Sequence, residues 1–253
     1  MKHITPFFIS IRNSVLSLVL FIMLWALLSL FFPVYIVPSP FAVLGKTPHF
    51  LRQGIFSHLT ITIFRVLIGF FCAFLIGTIT GVLSILINKS LYLNAFMALI
   101  QVIPGTILGI IFLLVFGVGN CVPIALVVVL VLPLIAINTS NSLANRNEKM
   151  EQYLVSIGGR RRDLYHHVFL PLLIPAFQSN LTIGFGISLK VVILGEFIGS
   201  QSGIGYLLNV SKIYFRMDEV FFHLSVIIAI MICFQITQSF LFSVLGKKYF
   251  YPN

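Results

Sequence analysis

Apolar residues fall in blocks along the chain. Six stretches, 14–32, 61–87, 95–116, 122–138, 172–195 and 220–245, are long and nearly free of charge. A membrane-crossing helix takes about 20 mainly apolar residues, so the pattern predicts an all-α, polytopic membrane bundle of about six transmembrane helices. The second and last stretches are long enough to tilt or to project from the bilayer. The first lacks a small-x-small cleavage site and is read as a mature span. Pro104, Pro123 and Pro133 fall in or near the third and fourth spans, where neighbouring helices satisfy the freed carbonyls. Between the first two spans the composition shifts. Pro38-Ser39-Pro40 and Pro48 there predict an extended turn followed by a short interfacial helix.

One polar, basic island interrupts the pattern from Met150 to Pro175. Arg146, Lys149, Arg160, Arg161 and Arg162 gather around it, and Gly158-Gly159 breaks it in the middle. Helix, glycine break, helix is a shape that a soluble partner can grip, and a basic loop between spans belongs on the cytoplasmic side. With the N-terminus inside, ten of the sixteen Lys and Arg residues fall in inner segments, Lys2, Lys247 and Lys248 among them. Four fall outside: Lys46, Arg52, Lys212 and Arg216. The split predicts that both termini are cytoplasmic.

Composition narrows the class. Hydrophobic residues make up 59% of the chain and charged ones 9%, with a mean hydropathy of +1.09. Soluble domains carry about 25% charged residues. A net charge of +10 raises nucleic acid as a partner, but the basic residues flank apolar runs, which fits membrane topology and contact with lipid. Cys72, Cys121 and Cys233 have no ligand or disulfide spacing and are expected as small buried hydrophobes, so no metal is expected.

Most candidate chemistry fails on spacing. Gly45-Lys46-Thr47 copies the end of a phosphate-binding loop, but Pro40 stands where its first glycine belongs. Gly184-Phe185-Gly186-Ile187-Ser188 lacks the order of a serine-hydrolase elbow, and His223 is the one histidine near a span interior, so proteolysis is not supported. The pairs Gly77/Gly81 and Gly105/Gly109 let helix backbones approach, either within the bundle or between subunits. Three charges touch the spans. Arg65, near a span end, is expected to snorkel. Lys190 lies inside span five and is read either as half of a structural ion pair or as part of a substrate path. Glu196, at the outer end of that span, is read either as an interfacial acid or as a functional one. Six residues apart, the two do not share a helix face.

The motifs together resemble a family. Gly158-Gly159, Leu170-Pro171 and Pro175 are similar to the EAA loop of permease subunits of ATP-binding-cassette (ABC) importers. Gly195-Glu196-Phe197-Ile198-Gly199 followed by Gly203-Ile204-Gly205-Tyr206 resembles the segment after span five in their nitrate/sulfonate/taurine branch. Val37-Pro38-Ser39-Pro40 and the stretch from Thr60 to Gly69 resemble the entry and core start of that branch. The loop departs from the pattern at Gln152-Tyr153-Leu154, where the family has acid-Ala-Ala.

The resemblance implies a type I importer permease fold. It divides the chain into an N-terminal helix and outer-face segment (1–57), a permease core (58–246) with a coupling loop at about 141–171, and a tail (247–253). It implies a permease in a bacterial inner membrane, without its own ATPase site or cofactor. ATP and Mg would bind two partner ATPase subunits. A second permease subunit and an extracytoplasmic binding protein would complete the system, and the solute would be small, anionic or vitamin-precursor-like. It makes Gln152, Gly158, Gly159, Arg160, Leu170 and Pro171 the ATPase-coupling residues. Lys190, Glu196, Gly199, Gly203 and Gly205 become candidates for the pathway or gate. A secondary transporter or a membrane scaffold is the alternative, although no inverted repeat is visible.

Overall fold

The computed structural model of the chain describes residues 5–52, 54–146 and 148–245. Lys2, Lys247, Lys248 and the predicted tail over 247–253 lie outside the described residues. The described secondary structure is helical throughout, with no strand. The helices are α1 (Thr5–Phe31), α2 (Pro40–Arg52), α3 (Ile55–Leu86), α4 (Ser90–Gln101), α5 (Gly105–Phe116), α6 (Cys121–Ala144), α7 (Glu148–Ser156), α8 (Arg161–Leu164), α9 (Leu170–Gly199), α10 (Ile204–Ile213) and α11 (Met217–Leu245).

Among the described residues, four helical stretches are long and apolar enough to cross a membrane alone: Ile55–Leu86, Cys121–Ala144, Arg162–Gly199 and Met217–Gln238. The predicted third span is not one rod. It divides into α4 and α5, which meet at 81°. Pro104 explains the break. It has no N–H for the ladder and holds an extended backbone (ψ 129°) just before α5. Each twelve-residue half is about 18 Å long, short of a hydrocarbon core of about 30 Å, so only the pair together can span. Pro123 and Pro133 sit inside a continuous α6. The predicted first span lies in α1, a helix of 27 residues and so about 40 Å long, with Leu16–Phe31 as an apolar stretch within it. Among the described residues, the length and composition of a span are met by four single helices, or five spans with the bent pair, beside α1. The predicted interfacial helix is α2, and its Lys46 reaches Asp218 of α11 at 2.7 Å.

Helix α6 is the axis of the bundle. Val122, Leu126, Val127, Val131 and Ile135 are buried along it and pack against Val66, Phe70 and Ala73 of α3 and Leu189 and Val192 of α9. Glycine sets the spacing of α3 on α6. A Cβ at Gly77 would stand 2.9 Å from the Leu132 carbonyl oxygen, and one at Gly81 would stand 2.7 Å from that of Ala136. The second pair acts elsewhere: Gly105 faces Leu130 and Leu194, and Gly109 faces Leu126 and Ile198. All four glycines thus meet residues of their own chain. Gly81→Val is expected to destabilise the bundle by about 1–3 kcal/mol through overpacking. The thermal midpoint of the purified protein in detergent checks this, and an unchanged midpoint would remove the close contact.

The cysteines depart from expectation, since Cys72, Cys121 and Cys233 are all exposed. In a membrane, the outside of the bundle is as apolar as its inside, so a small thiol has no drive to be buried. A second apolar cluster joins Trp25, Val43, Phe50, Ile55, Ile204 and Phe222 at the end away from the basic loop. A third, of Ile85, Leu143 and Leu173, closes the loop end.

Candidate functional site

The far end of the bundle holds a buried ion pair. Arg65 and Glu196 are 1% and 0% exposed, and Arg65 Nη1 lies 2.8 Å from Glu196 Oε1. Arg65 does not snorkel, and Glu196 is not an interfacial acid. An ion pair this deep persists only if its remaining donors and acceptors are also met. They are. Arg65 Nη1 also donates to the Ser202 carbonyl at 2.7 Å, and Nη2 donates to Ser202 Oγ at 2.9 Å. Nε and Nη2 both donate to Asn120 Oδ1, at 3.0 and 2.6 Å. The guanidinium has five N–H groups, and these five contacts account for them.

Glu196 is held as completely. Thr62 Oγ1 bridges its two oxygens at 2.9 and 3.0 Å, and the Gly205 N–H donates to Oε2 at 2.9 Å. The first N–H groups of a helix have no partner inside it. At the start of α10, three consecutive groups find partners on α3 and α9. Gly203 N–H donates to His58 Nδ1 at 3.0 Å, Ile204 N–H to Thr62 Oγ1 at 2.9 Å, and Gly205 N–H to Glu196. The carboxylate also lies where the helix dipole favours negative charge.

The glycines around Glu196 explain themselves here. Gly203 has φ +102°, and a Cβ on it would fall on the Glu196 carboxyl group. A Cβ on Gly205 would strike the Ile193 carbonyl. Gly199 packs on Val122, and its carbonyl accepts from the Gly119 N–H at 2.9 Å. Together these contacts fasten α3, α9, α10 and the 117–120 turn to one another.

Lys190 takes no part. It is exposed on α9 and makes no ion pair among the described residues. The structural ion pair expected for Lys190 therefore has no partner among the described residues. The pairing of Arg65 with Glu196, 131 residues apart, was missed for a simple reason. Periodicity compares residues within one helix, and these belong to two. One signal was available: α3 and α9 run in opposite directions, and each charge lies toward the end away from the loop. Thr62, His58 and Asn120 carried no comparable sign.

The loop end has a different construction. Helix α7 stops at a Schellman cap: Gly158 N–H donates to the Val155 carbonyl at 3.1 Å and Gly159 N–H to that of Leu154 at 2.8 Å. Gly158 has φ +81°, and a Cβ on Gly159 would stand 2.6 Å from the Leu154 oxygen. The two glycines are needed for different reasons, one for its backbone angle and the other for space. Asp163 then accepts from the Arg160 N–H at 2.8 Å to start α8. Gln152 and Arg160 are exposed. Arg146, Glu151, Gln152, Val155 and Ser156 line an open hollow of about 470 Å³, and Arg146 pairs with Glu151 at 3.1 Å.

Pro171 does not separate loop from span, as the sequence suggested. A π-helical turn over Tyr165–Phe169 joins α8 to α9, with the Leu170 N–H bonded to the Tyr165 carbonyl. A wider turn changes the register just before Pro171, which lacks an N–H, and the helix passes through. Arg162–Gly199 is therefore one helical stretch of 38 residues. Leu170 is half-buried and Pro171 exposed at its start.

A family model described as "Binding-protein-dependent transport system inner membrane component" matches residues 73–250. The match includes the loop, Glu196 and α10; Thr62 and Arg65 precede it. The formylaminopyrimidine transport permease protein ThiX of Halalkalibacterium halodurans is 27% identical over 175 residues, covering 68% of this chain and 69% of that protein. The putative aliphatic sulfonates transport permease protein SsuC of Bacillus subtilis is 24% identical, over 74% of this chain and 68% of that one. The taurine transport system permease protein TauC of Escherichia coli is 22% identical, over 85% and 81%. Among solved structures, an inward-facing form of the MetNI methionine ABC transporter gives a TM-score of 0.63 at 19% identity, over 76% of this chain and 95% of that chain.

Proposed function

The chain belongs to the inner-membrane components of binding-protein-dependent transport systems, as a transmembrane permease subunit of an ABC importer in the sulfonate/taurine-type branch, and we propose that its basic loop couples a partner ATPase to the far end of the bundle. The fold is that of type I importer permeases, and the chain is a multi-pass membrane protein. The secondary-transporter and scaffold readings give way to this family.

The observation that carries the coupling proposal is the unbroken helix from Arg162 to Gly199. One end begins in the loop beside the capped α7, and the other carries Glu196. Two ATPase subunits dock on the loops of this chain and of a second permease subunit. They bind ATP and Mg, and this chain has no ATPase site or cofactor of its own. When ATP closes the ATPase pair, each loop is displaced and the long helix passes the displacement to the fastened far end. Such coupling requires that the ATPase contact differ in free energy between the inward-open and outward-open states. An extracytoplasmic binding protein delivers the solute at the far end. The solute is small, either anionic or vitamin-precursor-like, in keeping with the names of the relatives. The chain sits in a bacterial inner membrane with both termini cytoplasmic.

Two measurements test this reading. Affinity purification of the chain from its source membrane is expected to bring an ATPase with it, and a chain that purifies alone sinks the coupling. In a variant without native cysteines, Gln201→Cys is expected to react with an impermeant thiol reagent on intact cells and Arg161→Cys to stay unlabelled. The reverse pattern inverts the topology.

A further inference from the structure

One contact at the start of α10 depends on a proton. The Gly203 N–H donates to His58 Nδ1 at 3.0 Å. A backbone N–H only donates, so the ring nitrogen facing it is bare and the proton of the neutral ring sits on Nε2. An imidazolium carries protons on both nitrogens and accepts nothing. The next two N–H groups of the row have acceptors of another kind. Ile204 donates to the Thr62 hydroxyl and Gly205 to Glu196. A hydroxyl accepts at any pH, and a carboxyl oxygen keeps a lone pair even when protonated. His58 is the member of the row that loses its acceptor in mild acid.

The position of His58 lets outer solution reach it. The residue is half-buried and is the fourth of α3. It lies one turn beyond Thr62, on the side away from the loop. Helix α3 has 32 residues and is about 48 Å long, against a hydrocarbon core of about 30 Å.

The charged groups around the ring either repel a second cation or are already engaged. On α3, Arg65 is a permanent cation within electrostatic reach. On α9, Glu196 is held by Arg65, Thr62 and Gly205. On α10, Tyr206 stacks on the ring at 6.2 Å, and Lys212 is turned to Phe197. On α11, Glu219 accepts from Arg216 and Ser211. His223 of α11 is 7% exposed, and its Nδ1 has no partner among the described residues. It also interacts electrostatically with His58. On α2, Lys46 is bonded to Asp218, and His49 is exposed beside Phe50.

We propose that His58 is an acid-release latch: with its ring neutral it holds the N-terminus of α10 on α3, and protonation from the outer solution lets that terminus go. Acid outside then loosens the end of the bundle to which the basic loop is coupled. That the proton comes from outside rests on the topology proposed above.

Hydrogen–deuterium exchange of the purified full chain in detergent tests the latch, read on the peptide over residues 201–206 with intrinsic exchange rates divided out. Protection is expected to fall by about tenfold between about pH 7.5 and about pH 5.5. At the lower pH a released imidazole of pKa about 6.5 is neutral in only about one molecule in eleven, and the latch needs the neutral ring. The latch is at full strength above that value and weakens as pH falls through it. His58→Asn puts an amide oxygen near the place of Nδ1 and takes up no proton. It is expected to keep protection at both pH values. His58→Phe, with a ring and no acceptor, is expected to lose protection at both. His223→Gln is expected to keep the pH dependence of the parent.

Unchanged protection in the parent overturns the proposal, and that arm needs no variant to fold. A pH-dependent loss that persists in His58→Asn overturns it too. If that loss then disappears in His223→Gln, the sensor is His223; if it survives there as well, acid loosens this end through another group. Both faces of the chain meet one pH in detergent. An inverted topology therefore leaves the exchange result standing and is detected by the thiol labelling, whereas unmoved protection breaks this proposal alone.

Discussion

Arg65→Met is expected to abolish recovery of a folded bundle. The substitution keeps most of the side-chain length and leaves Glu196 fully buried without its counter-ion. Breaking one side of a buried pair costs about 3–5 kcal/mol, against total stabilities of about 5–15 kcal/mol for ordinary domains. It also removes the donor that holds the Asn120 side-chain oxygen and the Ser202 carbonyl, at 2.6 and 2.7 Å. Arg65→Lys is expected to fare little better, since an ammonium cannot meet acceptors on both flanks of a planar fork. Adding Glu196→Gln to Arg65→Met removes the stranded charge, and the amide oxygen can still accept from Thr62 or Gly205. The double variant is therefore expected to recover part of the loss. Yield of monodisperse protein and its thermal midpoint are the measurements. A single Arg65→Met variant as stable as the parent would falsify the ion pair as the fastening of this end.

The contrast between helix and contact explains what the sequence could convey. Apolar runs mark spans because lipid acts on every residue of a segment, so the positions of α3, α6, α9 and α11 were legible. The break between α4 and α5 was not. Pro133 and Pro104 look alike in sequence, yet one lies within α6 and the other separates two half-helices by 81°. The local sequence does not separate the two cases, so the difference is set by tertiary packing. The Gly158-Gly159 turn was legible because its cause is local. The polar ladder inside the bundle was not: Asn180 donates to Thr139 at 3.0 Å and accepts from Asn138 at 2.7 Å, and Ser84 bonds to Ser140 at 3.2 Å. These side chains are ordinary in composition and acquire meaning only when α3, α6 and α9 meet.

The second large effect is expected at Gly158. Gly158→Val leaves open space around the new side chain, since nothing lies within 4 Å of an added Cβ. The penalty is conformational. At φ +81° a β-branched residue is a genuine outlier, and left-handed backbone costs roughly 1–2 kcal/mol even for ordinary residues. The Schellman cap opens, α7 loses its fixed angle to α8, and the surface offered to the ATPase is no longer defined. Membrane insertion and the thermal midpoint are expected to survive, because the buried core is remote. Uptake by the reconstituted complex is expected to fall by about tenfold, the factor that 1.4 kcal/mol sets. Gly158→Asn, which tolerates the left-handed region, is expected to keep most of the activity. Normal uptake in the Val variant would remove the capped turn from the coupling mechanism.

The π-helical turn at Tyr165–Phe169 gives the loop tolerance to a change of one residue. With its i→i+5 ladder each residue turns by about 82°, so the five residues take up about the same rotation as four α-helical residues at about 100° each. Deleting one residue there would restore ordinary α-helix and leave the phase of the loop nearly unchanged. The same deletion inside regular α9 would turn the loop side by about 100° about the helix axis. A loop grafted from a relative one residue shorter across the turn therefore still presents its docking surface to the same side.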